Sequence, residues 1–105
     1  MAGARQIYRL VVEGLSVAGP RPPLKVEFDL AAQVLYVRVR NGKVVRSAEF
    51  GRHIVGDFDR HGDLLGFEVL DLSRAGGWRV PDRMTTRSGA KEHPNPPVYQ
   101  FAEVG

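Results

Sequence analysis

DFDRHGDLLGFE, residues 57–68, spells two incompatible structures. As a calcium loop it has aspartates at its first and third positions, a glycine at its sixth and a glutamate at its twelfth, and it requires a helix on each side. As a β-hairpin it has Asp59 to open a type I turn and Gly62 to take the left-handed position that closes a bulged loop. The flanks decide between them. HIVGDF (53–58) and LLGFEVLDL (64–72) are β-like runs, and the fifth loop position, which takes a carboxylate or amide in a calcium site, is His61. If residues 64–70 are extended, a rise of roughly 3.3 Å per residue carries Glu68 roughly 15 to 20 Å from the turn, too far to share a cation with Asp57. The segment is therefore read as a turn between two strands, with Asp57, Asp59 and Asp63 satisfying nearby backbone donors. No calcium or other metal site is expected.

Working outward, the same alternation recurs. LKVEFDL (24–30) sets Val26 and Phe28 against Lys25, Glu27 and Asp29. VLYVRVR (34–40) sets Leu35, Val37 and Val39 against Tyr36, Arg38 and Arg40, the period-two pattern of a half-buried strand. Asn41-Gly42 follows and is the strongest short hairpin signal, because both central residues of a type I′ turn need positive φ. It predicts that KVVRSAEF (43–50) folds back on VLYVRVR. A two-residue loop pairs Val39 with Val44 and Val37 with Arg46, whereas a three-residue loop would set Arg38 against Arg46, like charges face to face, so the shorter loop is preferred. The expectation is a mainly β domain, an antiparallel meander of about five strands over residues 25–72, with both terminal segments packed on it.

Outside residues 25–72 the pattern loosens. The prolines of GPRPP (19–23) remove donors and fix φ, which marks a boundary. Residues 1–24 are read as an N-terminal extension, in which IYRLVVEG (7–14) suits either an edge strand or one face of a short helix, the latter making the class α+β. Residues 73–105 are read as a basic C-terminal extension, in which HPNPP (93–97) halts regular structure before a terminal strand, VYQFAEV (98–104). Such a strand docks on an exposed edge of its own sheet or of a second subunit. Tyr99 and Phe101 share one face of it and are the expected self-association anchors, in a homodimer favoured by the small sheet's open edge.

The chain of 105 residues is one domain long, and its 43% hydrophobic and 26% charged residues are ordinary globular values that argue against wholesale disorder. There is no cysteine, so disulfides, thiolate catalysis and thiolate metal sites drop out together. The start lacks a signal-peptide core, and nothing approaches the roughly 20 apolar residues of a membrane span, so a cytoplasmic location is expected. The net charge of +3 is unevenly placed: Arg74, Arg79, Arg83, Arg87 and Lys91 are opposed only by Asp82 in that stretch. These five are the candidate contacts for phosphates or for an acidic protein partner. The alternative is a solvated tail, and Trp78 alone does not make the aromatic ladder that single-stranded nucleic acid would need.

Nothing in the sequence supports a catalytic residue or a cofactor. His53, His61 and His93 match no metal-ligand spacing. Thr85, Thr86 and Ser88 have neither a neighbouring base nor a nucleophile elbow, and Gly76-Gly77 leads into no phosphate-cradling helix. Glu68 stands apart. Its strand carries apolar residues on both faces, and a carboxylate there calls for a partner, with Tyr36, Arg38 and Arg46 as the candidates.

From Val26 to Asp71 the chain resembles the domain of unknown function 2283 family, small bacterial proteins with a recurring order of elements. Here those elements are Phe28-Asp29, Leu35-Tyr36-Val37, Asp57-Phe58-Asp59, Gly62 and Gly66-Phe67-Glu68-Val69-Leu70. The chain departs from the pattern at Leu30, where proline is usual, at Gln33, near which an acidic residue is usual, and at Gly56, where an aliphatic is commoner. The resemblance implies no established reaction; some members look like companions of small toxin-like proteins, which neutralise by covering a surface. The expected function is a non-enzymatic protein-interaction module, for which the resemblance suggests such a neutralising or regulatory companion. A nucleic-acid-binding accessory protein is the alternative and a hydrolase of unknown substrate the remote one.

Overall fold

The computed structural model describes residues 8–84 and 97–104, and within them period-two sequence becomes strand. The strands run β1 (Tyr8–Val12), β2 (Leu15–Gly19), β3 (Lys25–Asp29), β4 (Val34–Arg38), β5 (Arg46–Glu49), β6 (Ile54–Phe58), β7 (Leu64–Val69), β8 (Arg79–Pro81) and β9 (Val98–Glu103). One 3₁₀ turn, Leu72–Arg74, interrupts them, capped by Asp71, whose side chain accepts from the Ser73 N–H. Residues 8–12 are strand, which removes the helical alternative for that segment. The protein is mainly β, in two antiparallel sheets of four and five strands.

The five-stranded sheet occupies the span expected from the alternation, in the order β3-β4-β7-β6-β5. Its interior departs from the hairpin expected at Asn41-Gly42. Val37 pairs with Val26 on one side and Phe67 on the other, not with Arg46, and Arg46 pairs with Phe58 of β6. Residues 39–45 cross from β4, over the end of β7 and β6, to the far edge. Val39 and Arg40 both donate to the Leu65 carbonyl, at 2.8 and 3.2 Å. The physical reason is burial. Pairing β4 with β7 places Leu35 and Val37 beside Val69 and Phe67, all of them at most 3% exposed, which outweighs a two-residue turn preference.

The four-stranded sheet, in the order β1-β2-β9-β8, is built from the two segments outside residues 25–72. β9 is an interior strand, paired with β2 through Leu15–Glu103 to Ala18–Gln100 and with β8 through Arg79–Gln100 to Pro81–Val98. Pro81 lies on β8, an edge strand, where a missing N–H is tolerated. The GPRPP stretch carries the chain from one sheet to the other.

A single core fills the space between the sheets. Leu15, Val17, Val80, Tyr99 and Phe101 of the four-stranded sheet meet Leu35, Val37, Ile54, Phe58, Phe67 and Val69 of the other. Phe67 is its centre, with ring centroids 5.2 Å from Tyr99 and 5.3 Å from Phe101; each such pair adds about 0.5–1.5 kcal/mol beyond simple burial. Gly56 acquires a reason here. A Cβ at that position would press on Phe50 at 3.0 Å and Phe58 at 3.1 Å, so glycine makes room for those two rings, whose centroids lie 6.0 Å apart.

Candidate functional site

Strand registers divide the five-stranded sheet into a core face and an outer face. One outer row runs Glu27, Tyr36, Glu68, Val55, Glu49, and the next runs Lys25, Arg38, Gly66, Asp57, Ser47. Tyr36, Asp57, Gly66 and Glu68, scattered through the sequence, thus converge on one surface. Tyr36 lies across Gly66, where any Cβ would collide with the Tyr36 hydroxyl and the Val37 carbonyl. That glycine is required by close approach rather than by a turn. Arg38 fixes the ring from the side, donating to the Tyr36 hydroxyl at 3.3 Å, and its remaining donors hold the Arg40 carbonyl at 3.1 Å and the Gly42 carbonyl at 2.9 Å.

Glu68 is half-buried on this face and, among the described residues, makes no hydrogen bond or ion pair. The partners expected for it are engaged elsewhere or turned away. Arg38 serves Tyr36 and two carbonyls, while Arg46, in register with the core residue Phe58, belongs to the opposite face. Asp57, on the same face, accepts from the Ser47 hydroxyl at 2.7 Å.

The segment 57–68 is a hairpin. Asp59 and Asp63 close its loop through a backbone bond of 3.0 Å, Gly62 has φ +86°, and the register shifts at Asp57/Phe58 as a bulge. One Asp59 oxygen accepts from the backbone N–H groups of His61 and Asp63, at 2.9 and 3.0 Å. Desolvation raises the pKa of that carboxyl, but these donors outweigh it and hold the group below its ordinary value. Asp63 pairs with Arg83 at 3.4 Å. Of the three aspartates only Asp59 satisfies nearby backbone donors as expected; Asp57 and Asp63 instead meet the side chains of Ser47 and Arg83, and Glu68 is committed to the sheet between Tyr36 and Val55.

The basic residues do not gather into one patch. Arg74 sits 3.8 Å from Asp71 and Arg83 3.4 Å from Asp63, Arg79 projects from the edge strand β8, and Arg87 and Lys91 lie outside the described residues. Asp82, counted by sequence as their counterweight, is buried and serves two other arginines, Arg21 at 3.2 Å and Arg40 at 2.9 Å. Tyr99 and Phe101, expected as exposed self-association anchors, are core residues instead. Each is 2% exposed inside the chain's own core, because β9 inserts between β2 and β8 rather than adding to a free edge. Burial, followed by the Asp82 carboxylate whose oxygen lies 3.4 Å from the Tyr99 hydroxyl, pushes that phenol above its usual range. His53 and His61 lie apart, on the outer face and in the hairpin loop, while His93, Thr85, Thr86 and Ser88 are outside the described residues.

Sequence reasoning missed both the Asp82 cluster and the Tyr36–Gly66 contact. The first joins residues 61 positions apart and left no local trace; the second was visible only as a glycine inside an apolar strand. Among the described residues no helix is long and apolar enough to cross a membrane. Comparison with curated proteins and with solved structures finds no match. Residues 25–73 match the family model described as a protein of unknown function, DUF2283.

Proposed function

We propose that this chain, of which residues 25–73 match the DUF2283 model, is a non-enzymatic protein-interaction module that presents the outer face of its five-stranded sheet to a protein partner. The observation that carries the reading is Tyr36, locked over Gly66 by Arg38 beside Glu68, whose side chain has no partner among the described residues. A rigid tyrosine flanked by an arginine costs little conformational entropy to bury, and both residue types dominate binding energy at protein contacts. The rows that flank it carry Glu27, Glu49, Asp57 and Glu68 against Lys25 and Arg38, so this face is acidic on a chain of net charge +3. Such a face complements a basic partner surface. The partner class to which the family resemblance points is a small toxin-like protein, neutralised by being covered, a task that requires no reaction.

The test is photo-crosslinking in the native host with a photoreactive phenylalanine analogue in place of Tyr36, and with a control at Glu13 in the β1–β2 turn. A discrete adduct with another polypeptide at position 36 and none at position 13 is expected. Identical patterns at the two positions sink the reading.

A further inference from the structure

The edge of the same sheet carries a separate surface. Every residue from 21 to 32 is exposed, including all of β3. Yet this stretch holds Leu24, Val26, Phe28 and Leu30 at 57, 39, 37 and 58% exposure. An exposed edge strand of that composition is a template for another strand.

The backbone pattern says which groups are free. Val39 donates to the Leu65 carbonyl in register with the β4–β7 ladder, so Leu35, Val37 and Val39 bond towards β7, while Val34, Tyr36 and Arg38 bond towards β3. Their partners Asp29, Glu27 and Lys25 therefore bond inward, and the N–H and C=O groups of Val26 and Phe28 point away from the sheet.

We infer that β3 pairs antiparallel with β3 of a second copy about a two-fold axis at Val26, joining two five-stranded sheets edge to edge. The two copies of Val26 exchange a pair of backbone hydrogen bonds. Lys25 then lies opposite Glu27 of the second copy, twice by symmetry, and Leu24 lies opposite Phe28, also twice. Charge and apolar surface match together in this register; moving the axis to Glu27 would set that carboxylate against itself. The pairing ends at Leu24, whose N–H is turned inward to the Arg38 carbonyl at 2.7 Å, and Pro22 and Pro23 beyond it cannot donate. Lys25 and Glu27 already approach at 3.4 Å within one copy, both some 60% exposed, so re-pairing them across the axis disrupts little. The inference rests on the free backbone edge of β3 and not on Tyr36, although Lys25 and Glu27, which it pairs across the axis, also border the face proposed for the partner.

Sedimentation equilibrium of the full chain should give twice the 11.6 kDa chain mass. Lys25→Glu should weaken the dimer roughly tenfold or more, since the like-charge pair occurs twice, and the exchange Lys25→Glu with Glu27→Lys should restore it. Val26→Pro removes an N–H that bonds to nothing within the chain, so it should yield a folded monomer whose melting temperature no longer depends on protein concentration. A wild-type chain that stays monomeric, or a dimer indifferent to Lys25→Glu and Val26→Pro, overturns the inference. In either case the Tyr36 adduct still decides the proposed function by itself.

Discussion

Arg40 Nη2 lies 2.9 Å from Asp82 Oδ2, and that contact ties the crossover of the five-stranded sheet to the end of β8 in the other sheet. Arg40 also donates to the carbonyls of Leu64 and Asp82, at 2.7 and 3.2 Å, so its guanidinium closes a seam with both charge and hydrogen bonds. Asp82 is 5% exposed, and the Tyr99 hydroxyl meets it from the core side. Removing one partner of such a buried pair leaves the other uncompensated. Asp82→Ala should cost about 3–5 kcal/mol in urea denaturation. Arg21→Ala should cost only about 0–1 kcal/mol, because Arg21 is largely exposed to water. Equal effects would show that the exposed arm matters as much as the buried one.

Gly62 is the second sensitive position. Its φ of +86° is left-handed, and a Cβ there would strike the Met84 carbonyl, which belongs to the segment that bonds back to the hairpin loop. Gly62→Ala should lose about 1–2 kcal/mol from the backbone alone, with more from the displaced Met84. Thermal denaturation of the variant reads this directly, and an unchanged midpoint would mean that the loop relaxes freely.

Alkaline pH should destabilise the fold through Tyr99. Its folded pKa is raised above the ordinary 10.0 by burial and by Asp82, so the native state holds the phenolic proton where the unfolded state releases it. Stability should be level below pH 10.0 and fall as pH rises beyond it. Tyr99→Phe should flatten that fall. Urea midpoints measured on both proteins across this range check the sign.

The basic residues should give at most weak nucleic-acid binding, since Arg74 and Arg83 already face carboxylates. What binding exists should be indifferent to base sequence and fall steeply with salt. Anisotropy titrations on two unrelated duplexes at two ionic strengths measure both properties. Tight, sequence-selective binding at physiological salt would reverse the expectation.

Loss of β9 should be far more damaging than loss of a docked tail. A chain ending at Glu92 lacks an interior strand and uncovers Phe67, Val17 and Val80, so it should not unfold cooperatively. Phe101→Ala alone should cost about 3–5 kcal/mol, a large part of a small domain's stability.

The five-stranded sheet was legible because one face of each strand is buried and period-two spelling reports that directly. Leu35, Val37 and Val39 could be placed on one buried face from their spacing alone. Neighbours were not legible. Asn41-Gly42 is a local signal, and the order β3-β4-β7-β6-β5 is set by which apolar faces fit together, a property of distant residues. The Asp59 loop was read correctly because its turn chemistry lies within four residues. Asp82, by contrast, looked like one more charge in a basic run. Its role depends on Arg21 and Arg40, which reach it from elements remote in sequence. On the outer face the sequence did set Tyr36 and Arg38 beside Glu68, and Tyr36 is its register partner; the close approach of Tyr36 to Gly66 escaped, since β4 and β7 become neighbours only in the fold.

The interior position of β9 sets an order of assembly. Leu15 and Glu103 are paired residues from opposite ends of the described chain, so the four-stranded sheet must close a loop that encloses the whole five-stranded one, and loop closure is the slow, entropically costly step of such topologies. The five-stranded sheet needs only contacts between residues 25 and 69, so it forms first and offers Phe67 as an exposed template. The later sheet condenses on it. Amide hydrogens of β6 and β7 should accordingly be the last to exchange, and those of β1 and β8, at the edges of the late sheet, among the first.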